Sequence, residues 1–216
     1  MSSRHLVRLF FSTLILGGIV AGIVGALARW NEQFQPLIQS ADYVEMLMTF
    51  IWLVGVGFIF SVISQMGFFA YLTVHRLGLG IFKSLWNPVQ IVLILFVLFD
   101  LVYLRYISFG SNDSIISYLL VAGIVVVIGL PVAYIKMKQT NKHAFVPALF
   151  FMIVITTIEL VPVLRQDDIS WVYYMLIPLL ACNAYQLLIL HKLNQKSAIE
   201  LEKKKSTRAQ LKVRKA

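Results

Sequence analysis

The stretch SQMGFFAYLTVHRLGLGIFKSLW, Ser64 to Trp86, opens as lipid-embedded helix and closes as a basic connection punctuated by glycine. Met66, Phe68, Phe69, Tyr71 and Leu72 crowd its first half; His75, Arg76, Gly78, Gly80 and Lys83 follow. A hydrocarbon core of about 30 Å takes about 20 helical residues, so an apolar helix entering at Met46 should leave near Met66. The apolar character persists to Val74. A helix over 46–74 is about 43 Å long, more than one core. Tilt with a connecting loop relieves that excess, and so does projection into the cytoplasm as an aromatic stalk fit for docking. Gly78 and Gly80 predict the break. IFKSLW then suits the interface plane, with Lys83 toward headgroups.

The rest of the chain agrees with a lipid solvent. Of 216 residues, 59% are hydrophobic and 13% charged, with mean hydropathy +0.82. A soluble domain carries about twice that share of charge. Six stretches are long enough to cross: 6–28, 46–74, 88–107, 115–135, 144–164 and 171–190. The expected fold is all-α, a polytopic membrane bundle of six transmembrane helices over residues 1–190, with a basic tail over 191–216. The connections are too short for a folded extramembrane domain, and no internal repeat stands out.

Lysine and arginine fix the orientation. Arg4, Arg8, Arg76, Lys83, Lys136, Lys138, Lys142 and the nine cations from Lys192 to Lys215 fall on one side. Only Arg29, Arg105 and Arg165 fall on the other. The excess of cations marks the cytoplasm, which places both termini there. Acids sort oppositely, with Glu32, Asp42, Glu45, Asp113, Asp167 and Asp168 outside. Trp30, Tyr43, Tyr106, Tyr118, Trp171, Tyr173 and Tyr174 gather at outer span ends, and Tyr71, Trp86 and Tyr134 at inner ones, depths that amphipathic rings prefer. The first span has a rival reading as a signal peptide ending at Ala26-Leu27-Ala28, although its apolar run is longer than such peptides use.

Glycine spacing suggests how helices meet. Gly17, Ala21 and Gly25 recur every four residues in the first span, as do Gly18, Gly22 and Ala26. Such faces admit another helix closely, from the same chain or from a partner. Gly18 and Gly22, with Phe69, Tyr71, His75 and Arg76, form the candidate partner interface. Pro131, Pro147, Pro162 and Pro178 sit in or near spans and tend to bend them. Pro178 precedes Asn183 by five residues and can aim that amide inward.

Four buried polar residues are candidates for more than packing. Counted from the inner ends of their spans, Asp100 and Glu159 lie about 18 and 22 Å deep, both in the outer half. An ionisable group at such a depth is expensive and marks a possible ion path; a structural hydrogen bond is the plainer role. Arg105 and Tyr103 are available to Asp100, and Thr156 to Glu159. Asn183 and Gln186 share a face of the sixth span, where amides hold bundles together.

Catalytic signatures are missing: the sequence has no HExxH, GxSxG or P-loop. His5, His75, His143 and His191 lie near cytoplasmic span ends without metal-ligand spacing. Cys182 is a single thiol in an apolar run, so no paired-cysteine site is available. No enzyme, metal, cofactor or nucleic-acid role is expected. The basic tail suits anionic lipid headgroups.

Three segments resemble a known family. RHLVRLFFSTLILGG (4–18), FIFSVISQMGFFAYLTVHRLGLGIF (58–82) and SLWNPVQ (84–90) look like the KbaA family, the KinB-signalling pathway activation proteins of spore-forming Firmicutes. The likeness runs from the N-terminus through the sixth span and is most specific over 58–90. It implies a multi-pass protein of the bacterial cytoplasmic membrane that promotes the sensor kinase KinB and, through it, the sporulation phosphorelay. It supplies no catalytic residues. On this reading the protein is a non-enzymatic activator working by intramembrane helix contacts. The alternative is a small ion-coupled transporter using Asp100 and Glu159, and a lipid-binding structural protein is a third class.

Overall fold

The computed structural model describes residues 3–104, 106–107, 115–164 and 169–213, and all of the regular structure among them is helical. Arg105, Asp113, Arg165, Asp167 and Asp168 lie outside the described residues. Helix α1 spans Ser3–Ala28, and a π turn, Trp30–Phe34, leads into the short α2, Gln35–Gln39. Helix α3 spans Tyr43–Phe82 and α4 spans Trp86–Phe99, ending in a π turn, Asp100–Leu104. Helix α5 is Ile115–Gln139. Helices α6, Phe145–Phe150, and α7, Thr156–Leu164, are joined by a π turn, Phe151–Ile155. Helix α8 is Ile169–Val213.

Among the described residues, five helical stretches are long and apolar enough to cross a membrane: Arg4–Ala28, Tyr43–Tyr103, Tyr118–Gln139, Lys142–Leu164 and Ser170–Lys203. The second takes in both 46–74 and 88–107. Within it, α3 runs for 40 residues, about 60 Å. Asp42 caps its start, the side chain accepting from the Glu45 amide at 3.1 Å. Such a cap satisfies one of the free N–H groups of the first turn.

The break does not fall at Gly78 and Gly80, as the sequence suggested. Both are helical, and the chain turns at Lys83, φ 49° and ψ −117°. Backbone hydrogen bonds outweigh the weak helix preference of glycine in an apolar setting. Gly78 instead makes room: the ring of Trp86 lies directly over it, where a Cβ would clash. Trp86 also stacks on Phe82 with centroids 5.7 Å apart and donates Nε1–H to His75 Nδ1 at 3.0 Å. The first residue of α4 is thereby folded back onto α3.

Helix α8 continues without interruption from 169 through 190 to 213, 45 residues in all. It passes through Pro178, as α5 passes through Pro131 and α7 through Pro162.

Helix α1 packs along α3 and α8. At the crossing, a Cβ on Gly57 would lie 2.7 Å from the Gly17 carbonyl oxygen and 2.9 Å from the Gly18 Cα. The two backbones therefore touch, as small residues allow. Phe11, Ile15, Ile19, Ile23 and Leu27 form the opposite face and are all more than half exposed. A helix apolar on every side suits a bilayer rather than water.

Two levels mark the bundle. At the tryptophan level, the Arg29 guanidinium lies 4.6 Å from the Trp171 ring and 5.9 Å from Trp52. Trp52 and Trp171 meet edge-on at 6.4 Å, and Tyr174 donates to the Leu53 carbonyl at 3.0 Å. At the lysine level, Lys136 Nζ donates to the Leu187 carbonyl at 2.7 Å and Tyr71 to the Pro147 carbonyl at 3.0 Å. Trp52 to Tyr71 along α3 is about 29 Å, one hydrocarbon core. Helix α3 overhangs both levels.

Candidate functional site

Between the two levels, α3, α7 and α8 share a buried hydrogen-bonded chain. Gln186 Nε2 donates to Ser64 Oγ at 2.6 Å, and Ser64 Oγ donates to Asn183 Oδ1 at 2.7 Å. Asn183 Nδ2 then donates to Glu159 Oε2 at 2.7 Å and to Thr156 Oγ1 at 2.9 Å. All five residues are nearly or fully buried. The other carboxylate oxygen, Oε1, lies against the backbone of Gly67. A buried polar chain of this kind gains strength from the low local dielectric, and each member is costly to leave unpaired.

A second set ties α1 to the same helices. Ser61 Oγ donates to the Thr13 carbonyl at 3.2 Å and lies 3.7 Å from Cys182 Sγ. Gln65 Nε2 donates to the Phe10 carbonyl at 3.4 Å. Cys182 is fully buried and unpaired.

Of the four polar candidates, the fold brings together Glu159, Asn183 and Gln186 and leaves Asp100 apart. Asp100 opens the π turn after α4 and is half-buried. The Tyr103 ring, read as a partner for it, stacks on Phe99 at 4.8 Å. Glu159 lies deeper than the count along its span suggested. It meets Gly67 and Asn183, which stand fifteen and twelve residues from the Trp52–Trp171 contact, about 22 and 18 Å along their helices. The count placed Leu164 at the membrane edge. Ser64, Gln65 and Gly67 were missed in the sequence. Their signal is the polar and small stripe Ser61, Ser64, Gln65 on one face of an otherwise apolar helix, a pattern that marks close packing.

The interface candidates separate into inner and outer groups. Phe58 covers Gly18, and Val54 and Phe50 cover Gly22, so this glycine face is filled by α3. Tyr71 is buried, and His75 accepts from Trp86. Phe69 is half-buried with its ring edge-on to Phe68, and Arg76 is exposed. Among the other histidines, His5 lies 3.6 Å from Glu200 and His191 bonds Gln195 at 2.9 Å. Among the described residues, no three His, Cys, Asp or Glu come together as a metal site.

A model of the KbaA family, described as KinB-signalling pathway activation in sporulation, matches residues 17–193. The chain belongs to this family. It is also 48% identical over 195 residues to the KinB-signaling pathway activation protein of Bacillus subtilis (strain 168), covering 89% of this chain and 98% of that protein. No solved structure matches. In this KbaA-family chain the match takes in the glycine face of α1, all of α3 and the buried polar chain, and leaves out the basic end of α8. The long apolar helices are compatible with a membrane protein.

Proposed function

We propose that this protein is a non-enzymatic membrane activator of a KinB-like sensor kinase feeding the sporulation phosphorelay, and that it acts by helix contact. Six crossings with both termini cytoplasmic fit the distribution of Lys and Arg. The observation that carries the contact is the outer face of α3. Met66, Val74, Leu77 and Ile81 are exposed, Ile81 by 72%, and at 100° per residue they fall in one stripe. At the same pitch Phe69 and Arg76 fall about 60–80° to one side of that stripe and Tyr71 and His75 about 60–100° to the other, the side on which Tyr71 is buried. The stripe crosses the lysine level and continues beyond it, so it offers one surface both to a transmembrane helix and to the helix extending from it. A modulator of this kind works by binding the active state of the kinase more tightly than the inactive one. A few kcal/mol of difference shifts the populations strongly.

The transporter reading gains no support. Glu159 Oε2 accepts from Asn183 while Oε1 only packs against the Gly67 backbone, and Asp100 stands outside that cluster. The test of the activator reading is co-purification of the kinase with Phe69→Ala and Arg76→Glu variants at matched membrane abundance. Losing an interface anchor is expected to cost about 2 kcal/mol or more of association. Normal accumulation with undiminished capture of the kinase by both variants contradicts it.

A further inference from the structure

A cavity of ≈ 540 Å³ opens at the lysine level between α3, the start of α4, the α5–α6 connection and α8. Its ionisable lining includes His75, Lys83, Lys136 and His143, and among the described residues no Asp or Glu contributes to it. Lys136 is only 8% exposed. Its ammonium donates to the Leu187 carbonyl, and among the described residues no carboxylate lies within ion-pair distance. Two of its three donors are therefore left for another acceptor. A buried cation without a counter-charge is unfavourable, and an anion relieves it. Lys83 lines the same cavity at φ 49°, a left-handed conformation uncommon for lysine. Backbone held this way concentrates at ligand clamps. Asn87 and Asn141 add amides, and Leu72, Leu79 and Leu190 supply an apolar wall.

We propose that this cavity binds a phosphate-bearing anion. Its oxygens accept from Lys83 and Lys136, and an alkyl portion lies against the leucine wall. Acidic phospholipids of the inner leaflet and soluble phosphate compounds both offer this chemistry. The cavity uses the face of α3 opposite the Leu77 and Ile81 stripe, so ligand binding and kinase contact can be lost separately.

The test uses the full chain purified in detergent. Native mass spectrometry reads retention of phosphatidylglycerol against phosphatidylcholine, and thermal unfolding reads inorganic phosphate against chloride at equal ionic strength. The expected result is retention of phosphatidylglycerol about tenfold above phosphatidylcholine, lost in a Lys83→Gln, Lys136→Gln double variant. A tail variant, Lys203→Gln with Lys204→Gln and Lys205→Gln, should keep that preference. A shift of the melting temperature by inorganic phosphate, abolished in the same double variant, supports the site with a soluble source. If Lys136→Gln prevents accumulation, Lys83→Gln alone must still weaken retention or the phosphate shift. No preference for either anionic probe in the wild type, or wild-type binding in the lysine variants, overturns the proposal.

Discussion

The backbone of Gly67 on α3 lies directly against the carboxyl group of Glu159 on α7. A Cβ at position 67 would fall on Glu159 Oε1, with Cδ at 2.8 Å and Cγ at 3.1 Å. The carboxyl cannot swing aside freely, because Asn183 holds its other oxygen at 2.7 Å. Gly67→Ala should therefore destabilise the protein by about 1–3 kcal/mol, the usual range for overpacking. Glu159→Ala removes the clash. Thermal unfolding of both single variants and the double should show a coupling of opposite sign to the single losses. Simple additivity would mean that the two residues do not meet.

The crossing of α1 and α3 gives a sharper steric test. Gly57→Ala drives a methyl group into the backbone of Gly17 and Gly18, which has no rotamer to yield. Gly55 and Gly123 have nothing within 4 Å of the same atom. Gly57→Ala should lower membrane abundance well below wild type, while Gly55→Ala and Gly123→Ala should leave it near normal. Gly22→Leu should behave like Gly57→Ala because Val54 and Phe50 fill that face. Equal abundance across the set would show that this crossing is not formed.

The carboxylate of Glu159 serves here as a hydrogen-bond acceptor for Asn183. An amide keeps that oxygen, so Glu159→Gln should retain most signalling at matched abundance, as should Asp100→Asn. Asn183→Leu, by contrast, strands Ser64, Thr156 and Glu159 without their shared partner. Each buried group left unpaired costs about 1–3 kcal/mol, so this variant should accumulate poorly. Signalling assays with immunoblotting separate the two effects. Abolished signalling in both neutralised acids at normal abundance would indicate that charge itself is at work.

Much of the bundle was legible because a lipid solvent imposes long apolar helices, and residues such as Leu6 to Ala28 announce themselves by length alone. Glu159, Asn183 and Gln186 were legible for the complementary reason: polar groups are rare in such runs. What one chain position cannot reveal is which neighbour meets it. Gly78 and Gly80 read as helix breakers, yet the turn sits at Lys83, because Gly78 answers to the Trp86 ring eight residues on. Tyr71 read as a surface anchor, yet its hydroxyl reaches the Pro147 carbonyl in another helix. The depth of Glu159 was missed because position along the chain does not say that its carboxyl meets Gly67 and Asn183.

Orientation rests on charge and can be checked by labelling. Cys182 is fully buried, so the background from the native thiol should be low. A cysteine placed at the exposed Ser206 should be shielded from an impermeant thiol reagent in intact cells, and one at the exposed Ser40 should react. Reaction at position 206 would reverse the assignment.

The central claim is that the outer stripe of α3 meets the kinase. Its most direct test is photo-crosslinking in the membrane, with the reactive residue placed in turn at Leu77, at Ile81 and at the fully buried Leu53. The stripe predicts that Leu77 and Ile81 capture the KinB-like kinase and that Leu53 does not. Failure of both stripe positions to capture the kinase, in cells where signalling is intact, would contradict it.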